Sequence, residues 1–186
     1  MRATATIATI MVTLSVAAGA AAGRRWMDGP MQDNASDLRR RLQQLEDRAA
    51  IKTLVDTFSI LADRKAVQTQ TLLFTEDAIV DSYSGDQLIS SLKGRKQIGN
   101  VFGAYLATFE TVYHINGQQT VELHGDRATG ISYCLVVLVG KENGKTIKNT
   151  AGVYYNDEYL RRGDEWLIAR RTSHFTWRDR EEMTRP

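Results

Sequence analysis

One cysteine in 186 residues, Cys134, excludes an intrachain disulfide, so the fold depends on a packed core and not on a crosslink. Its setting in ISYCLVVLV reads as a small buried apolar residue rather than a nucleophile. Neither sign of charge dominates: 24 Lys plus Arg stand against 22 Asp plus Glu, a net charge of +2. No basic stripe is interleaved with aromatics, and Arg39-Arg40-Arg41 reads as the solvated face of a polar helix, so no nucleic-acid partner is expected. Also absent are spaced Cys/His pairs, a Walker loop and a glycine-rich dinucleotide turn, and the sequence therefore assigns no metal and no cofactor. There is no internal repeat.

What is present begins with an apolar run over residues 5–18, preceded by Arg2 and followed by AGAAAG. A short positive start, an apolar stretch and small residues of the A-x-A kind spell an export signal, read over residues 1–22 and cleaved after Ala20 or Ala22. The expectation is a secreted or periplasmic protein, an uncleaved N-terminal anchor being the alternative, with no stable membrane insertion of the mature chain. Residues 23–34, with Gly29-Pro30, read as a linker, and residues 35–180 as one domain. At 42% hydrophobic composition that length supports a single sizeable core.

Asn34 or Ser36 is placed to cap a long helix whose apolar positions Leu38, Leu42, Leu45, Ala49, Ile51, Leu54, Val55, Phe58 and Leu61 recur at three- and four-residue steps. A bend is expected near Asp47. A short helix over 67–74 leads to an acidic turn at Thr75-Glu76-Asp77, then a strand in AIVDSY and a second in QLISSLKG. Residues 95–109 carry Ile98, Val101, Phe102, Tyr105, Leu106 and Phe109 on one stripe, an amphipathic helix. Four strands follow in meander order over 111–123, 127–140, 146–161 and 166–177. Their turns are His124-Gly125-Asp126, Asn143-Gly144 and Gly163-Asp164. Helices first and a long antiparallel meander after make an α+β fold.

The order of LADRKAVQTQTLLFTEDA, VYHINGQQTVELHGDRATG and YYNDEYLRRGDEWLIARR resembles a SnoaL-like domain of the nuclear transport factor two-like superfamily. The resemblance covers residues 38–177. It implies a cone-shaped α+β barrel, a strongly curved, mostly antiparallel sheet wrapped around N-terminal helices, with an apolar pocket for a small hydrophobic ligand. It also implies a homodimer through the open sheet face. The superfamily holds scytalone dehydratase, bile-acid dehydratases, ketosteroid isomerases, limonene epoxide hydrolase and polyketide cyclases, so the fold carries the pocket and not the reaction.

In the dehydratase branch an Asp at the end of the first long helix and a His on the strand after the third helix form an acid/base pair. The matching positions are Asp63 and His114. Elimination of water needs one group to take a proton beside a carbonyl and one to protonate the departing hydroxyl, and a carboxylate against an imidazole fixes the tautomer for that work. The resembled enzymes place a tyrosine immediately before the helix Asp or about five residues before it, where this chain has Ala62 and Phe58. The assisting hydroxyl is therefore sought among Tyr83, Tyr113, Tyr133 and Tyr155, with Tyr133 the catalytic choice. Tyr155, Tyr83, Arg170 and His174 are the expected substrate-binding residues, with Asn149 a weaker candidate and His124 exposed in its turn. A single-aspartate base at Asp81, in the manner of ketosteroid isomerase, ranks lower because no paired acid faces it. The expected function is a dehydratase-like lyase or isomerase, the alternative being a non-catalytic ligand-binding or dimerisation module of the same fold.

Overall fold

The computed structural model describes residues 20–183, with side chains from Asn34 onward. The export signal expected over residues 1–22 lies almost wholly outside the described residues. The chain divides into two units, Met1–Gln43 and Gln44–Pro186. In the first, the backbone is helical from Ala20, the side chains from Asn34 are exposed, and Arg40 pairs with Asp37 one turn away. The helix, α1, is assigned over Ala20–Asp63 without a break at Gly29-Pro30. The backbone of residues 23–34 is thus helical, and neither Asn34 nor Ser36 is the cap. The arginines, methionines and glutamine of this stretch are good helix formers and outweigh its one Gly-Pro signal. Leu38, Leu42 and Leu45 are exposed, so the buried face starts later than the apolar spacing suggests.

The second unit carries the core. From α1 it buries Ile51, Leu54, Val55, Phe58 and Ala62, a stripe at three- and four-residue steps. Asp47, the expected bend, is instead a buried anchor: Arg161 pairs with it at 2.5 Å and Trp166 Nε1 donates to it at 3.3 Å. The helix ends in a Schellman motif, with Ala66 N–H donating to Leu61 O and Lys65 N–H to Ala62 O, both at 2.9 Å, and Lys65 in the left-handed region at φ 54°. That stop fixes Asp63 as the last helical residue.

A five-residue helix, α2 (Val67–Thr71), leads into β1 (Phe74–Ser84), so the expected acidic turn at 75–77 belongs to the strand. β2 (Gln87–Lys93) pairs back on it, and α3 (Gly94–Ala107) turns Ile98 and Leu106 inward. Gly94 makes that junction at φ 78°, where a Cβ would lie 3.3 Å from Glu76 O. The meander follows as β3 (Thr111–His124), β4 (Arg127–Glu142), β5 (Lys145–Arg162) and β6 (Glu165–Glu182). The sheet order is β2-β1-β6-β5-β4-β3, with β1 parallel to β6 and every other pairing antiparallel. This is the expected α+β cone fold, a curved sheet left open between its edge strands β2 and β3.

One charged pair sits inside that core. The Arg171 guanidinium, 1% exposed, donates from Nε and Nη2 to the two carboxylate oxygens of Asp157 at 2.9 and 2.7 Å, and Tyr159 OH donates to the same carboxylate at 2.9 Å. Phe58 and Tyr155 rings cover the guanidinium at 4.3 and 4.2 Å. Removing one partner strands a buried charge. Asp157→Ala is therefore expected to cost about 3–5 kcal/mol of folding free energy, whereas Asp157→Leu with Arg171→Met recovers most of the loss. Denaturant midpoints of the three proteins check this.

Candidate functional site

Two β-bulges decide which side chains reach the interior. Counting back from the His124–Arg127 turn pair, an unbroken ladder would set His114 opposite Val137 and on the same face as Tyr133. The register shifts between Asn116 and Gln119, so His114 pairs with Val136 and shares its face with Ser132, Cys134, Val136 and Leu138. On β6 the ladder pairs Tyr159 with Ile168 but Glu158 with Arg170, leaving Ala169 as the extra residue. The inward set continues from Ile168 to Arg171, Ser173 and Phe175, not to Arg170, Thr172 and His174.

The inward residues enclose a cavity of about 650 Å³, within the range of small-molecule sites. Phe58 and Ala62 of α1, Gln70 of α2, and Phe102 and Leu106 of α3 form its helical wall. His114, Val136, Leu138, Tyr155, Arg171 and Ser173 are on the sheet side, with Asn149, Tyr105 and Arg178 also contributing.

Asp63 Oδ1 lies 2.7 Å from His114 Nδ1. With the carboxylate accepting from Nδ1–H, Nε2 keeps the lone pair. Burial pushes the His114 pKa below its ordinary 6.5; the hydrogen bond and charge of Asp63 oppose this, and the Arg171 charge adds to it. The imidazole is neutral at pH 7 and able to accept a proton.

Of the expected binding residues, Tyr155 lines the cavity, buried between the Arg171 guanidinium and Cys134. Burial pushes its pKa up, so it stays protonated. The Cys134 thiol is likewise pushed up by burial, to about 11, in keeping with an inert core residue. Asn149 lines the cavity and His124 is exposed.

The other placements are corrections. Tyr133, 51% exposed, lies on the outer sheet face because of the β3 bulge. Tyr83, His174 and Tyr154 lie beside it in one row: the Tyr83 and His174 rings stack at 5.4 Å, His174 and Tyr154 at 4.6 Å, and Tyr154 and Tyr133 meet at 5.8 Å. Arg170, also turned outward by the β6 bulge, pairs with Asp81 at 2.5 Å, and Ser91 donates to that same aspartate, which removes Asp81 as a free base. Sequence reasoning missed Arg171 and Gln70, both 1% exposed and both in the cavity wall. Arg171 was findable only through the bulge, since plain alternation favours its neighbour.

The model of the SnoaL-like domain matches residues 43–172. The chain belongs to the SnoaL-like family. A relative in Mycobacterium tuberculosis, itself uncharacterized, is 26% identical over 129 residues, 69% of this chain and 84% of that protein. Among solved structures, a scytalone dehydratase-like protein of Novosphingobium aromaticivorans has a TM-score of 0.65 at 19% identity, covering 73% of this chain and 88% of that one. A type 2 hexachlorocyclohexane dehydrochlorinase, LinA, has a TM-score of 0.64 at 19% identity, covering 77% and 93%. At such identity these two speak for the fold. No described helix is long and apolar enough to cross a membrane.

The electrostatics of the pair yield a direct test. The His114 ring, followed by NMR, is expected to titrate below 6.5, and Asp63→Ala is expected to move it lower still, because Asp63 is the group holding it up. A midpoint at or above 6.5 in the unsubstituted protein would mean that the Asp63 charge outweighs burial, and a midpoint unmoved by Asp63→Ala would contradict the contact.

Proposed function

We propose that this SnoaL-like protein is a cofactor-independent lyase that eliminates water from a small, apolar β-hydroxy ketone. The observation that carries the reading is the 2.7 Å contact between His114 and Asp63 beside a largely apolar cavity. His114 Nε2 removes the proton α to the carbonyl, and the electrons pass to the carbonyl oxygen as an enolate. As the enolate collapses, the β hydroxyl departs and takes the proton from the imidazolium, leaving as water. Reprotonation of the enolate at a different carbon would make the same pair an isomerase. Asp63 orients the ring and stabilises its charged form.

The carbonyl donor falls to Arg171, because Ala62 and Phe58 hold the positions of the usual tyrosines and the Arg171 guanidinium lies in the cavity wall. Arg171 Nη1 has no protein partner, and a fixed cationic donor at a forming enolate acts without reorganisation. Support from outside the chain is that the fold neighbours include a scytalone dehydratase-like protein and a dehydrochlorinase, both named for eliminations.

The proposal extends to assembly and location. The aromatic row on the outer sheet face, half-buried Tyr83, His174 and Tyr154 with exposed Tyr133, supports a homodimer through that face, and Tyr133→Glu with Tyr154→Glu is expected to give monomers by light scattering. The apolar run over residues 5–18 supports export, which N-terminal sequencing of the protein recovered outside the cytoplasm tests.

The lyase reading is tested with 3-hydroxy-1-tetralone, whose dehydration gives 1-naphthol. His114→Ala is expected to lower kcat/KM by about 10²–10⁴-fold. In the unsubstituted protein kcat/KM is expected to fall as pH drops through a midpoint below 6.5, where the base becomes protonated, and to stay level above it. Undiminished turnover by His114→Ala would remove the mechanism.

A further inference from the structure

We propose that Gln70 is the specificity-determining residue of the cavity, selecting ligands that present a hydroxyl donor to its side-chain oxygen. This rests on the cavity assigned above and names the group that the hydroxylated substrate offers to it.

Gln70 is a buried amide on α2, 1% exposed, in the cavity wall. Its Nε2 donates to Phe58 O at 3.0 Å, and that bond fixes which end of the amide is which. Oε1 is left with no protein donor and closed to bulk water. A buried acceptor in that state is costly, and a donor brought in by a ligand relieves the cost. The terminal amide torsion is broad, so Oε1 turns toward an entering group by loosening the Nε2 bond to Phe58 O, and the new bond offsets that loss.

The ligand chemistry follows from a second orphan, on the sheet side of the same cavity. Arg171 Nη1 is also buried without a partner, and its guanidinium lies over the ring of the same Phe58 whose carbonyl Gln70 holds. An unpaired acceptor and an unpaired donor beside one phenylalanine ask for a ligand bearing both a hydroxyl and an acceptor oxygen. A hydrocarbon or a halide satisfies neither Oε1 nor its desolvation. A site with a buried polar group rejects the analogue that lacks the matching donor more strongly than an apolar pocket rejects a change of shape.

Calorimetry with 2-tetralol and 2-fluorotetralin tests this, since fluorine is close in size to hydroxyl and donates nothing. The full chain is expected to bind the alcohol about tenfold tighter. Gln70→Met, which keeps the volume and removes the acceptor, is expected to bring the two affinities within about twofold. The ratio within one protein is insensitive to a general loss of folded material. Should Gln70→Met fail to fold, Gln70→Asn, which withdraws the same amide by one methylene, is expected to reduce the preference in its place. Equal affinity in the unsubstituted protein, no binding of either compound, or an unchanged preference in the variant would each overturn the proposal. Neither probe has a ketone, so neither is dehydrated through His114. A preference for 2-tetralol without turnover of 3-hydroxy-1-tetralone would leave Gln70 standing and remove the lyase reading alone.

Discussion

A guanidinium sealed inside an apolar core is the constraint from which much of this structure follows. Arg171 cannot shed its charge, so β5 must present Asp157 directly across the ladder, and the remaining faces of the guanidinium must be covered by groups that tolerate a cation. Phe58 from α1 and Tyr155 from β5 supply those faces, which ties helix and sheet together at one residue. The same charge reaches His114. Burial is the largest influence on that imidazole, Asp63 opposes it, and Arg171 works with burial against protonation. The side chain that holds the core also helps keep the candidate base neutral.

How much of this was legible depends on whether the signal was local. The hairpin turns were, because Asn143-Gly144, at φ 51° and 79°, carries its backbone requirement in its own residues. So were the meander strands, whose spans differ from the expected ones chiefly by extension at their ends. Asp63 and His114 were legible through resemblance in the order of motifs; pattern alone does not join residues 51 positions apart. The inner face of each strand was not legible. It depends on one extra residue in β3 and two in β6, Ala169 and Thr176, and none of these bulges leaves a mark in the polarity of the chain.

The usual rule that inward positions are apolar gives no help where it was needed. On β5 and β6 the interior holds Asp157, Arg171 and Ser173, while the outer face holds Tyr154 and His174. A reader of polarity is drawn to Arg170 and His174 over Arg171 and Ser173, and one bulge at Ala169 is the whole difference. The polar interior is where local preference and final structure disagree, and such disagreements gather at sites of function.

Asp63 fits that description for a separate reason. It is the last helical residue of α1, where the helix dipole presents its negative end, and a carboxylate there is disfavoured by about 0.3–1 kcal/mol. The helix could stop equally well with an uncharged residue, because the Schellman bonds of Lys65 and Ala66 and the left-handed Lys65 make the stop without it. What the carboxylate adds is the contact with His114 Nδ1, and it makes that contact from a part-exposed position at the edge of the site rather than from the cavity wall. A core histidine needing only a hydrogen-bond acceptor is served by a backbone carbonyl at no electrostatic cost. A histidine that must become positive for a moment beside Arg171 is not, and under the proposed mechanism this is the work for which a charged partner at an unfavourable helix end is suited.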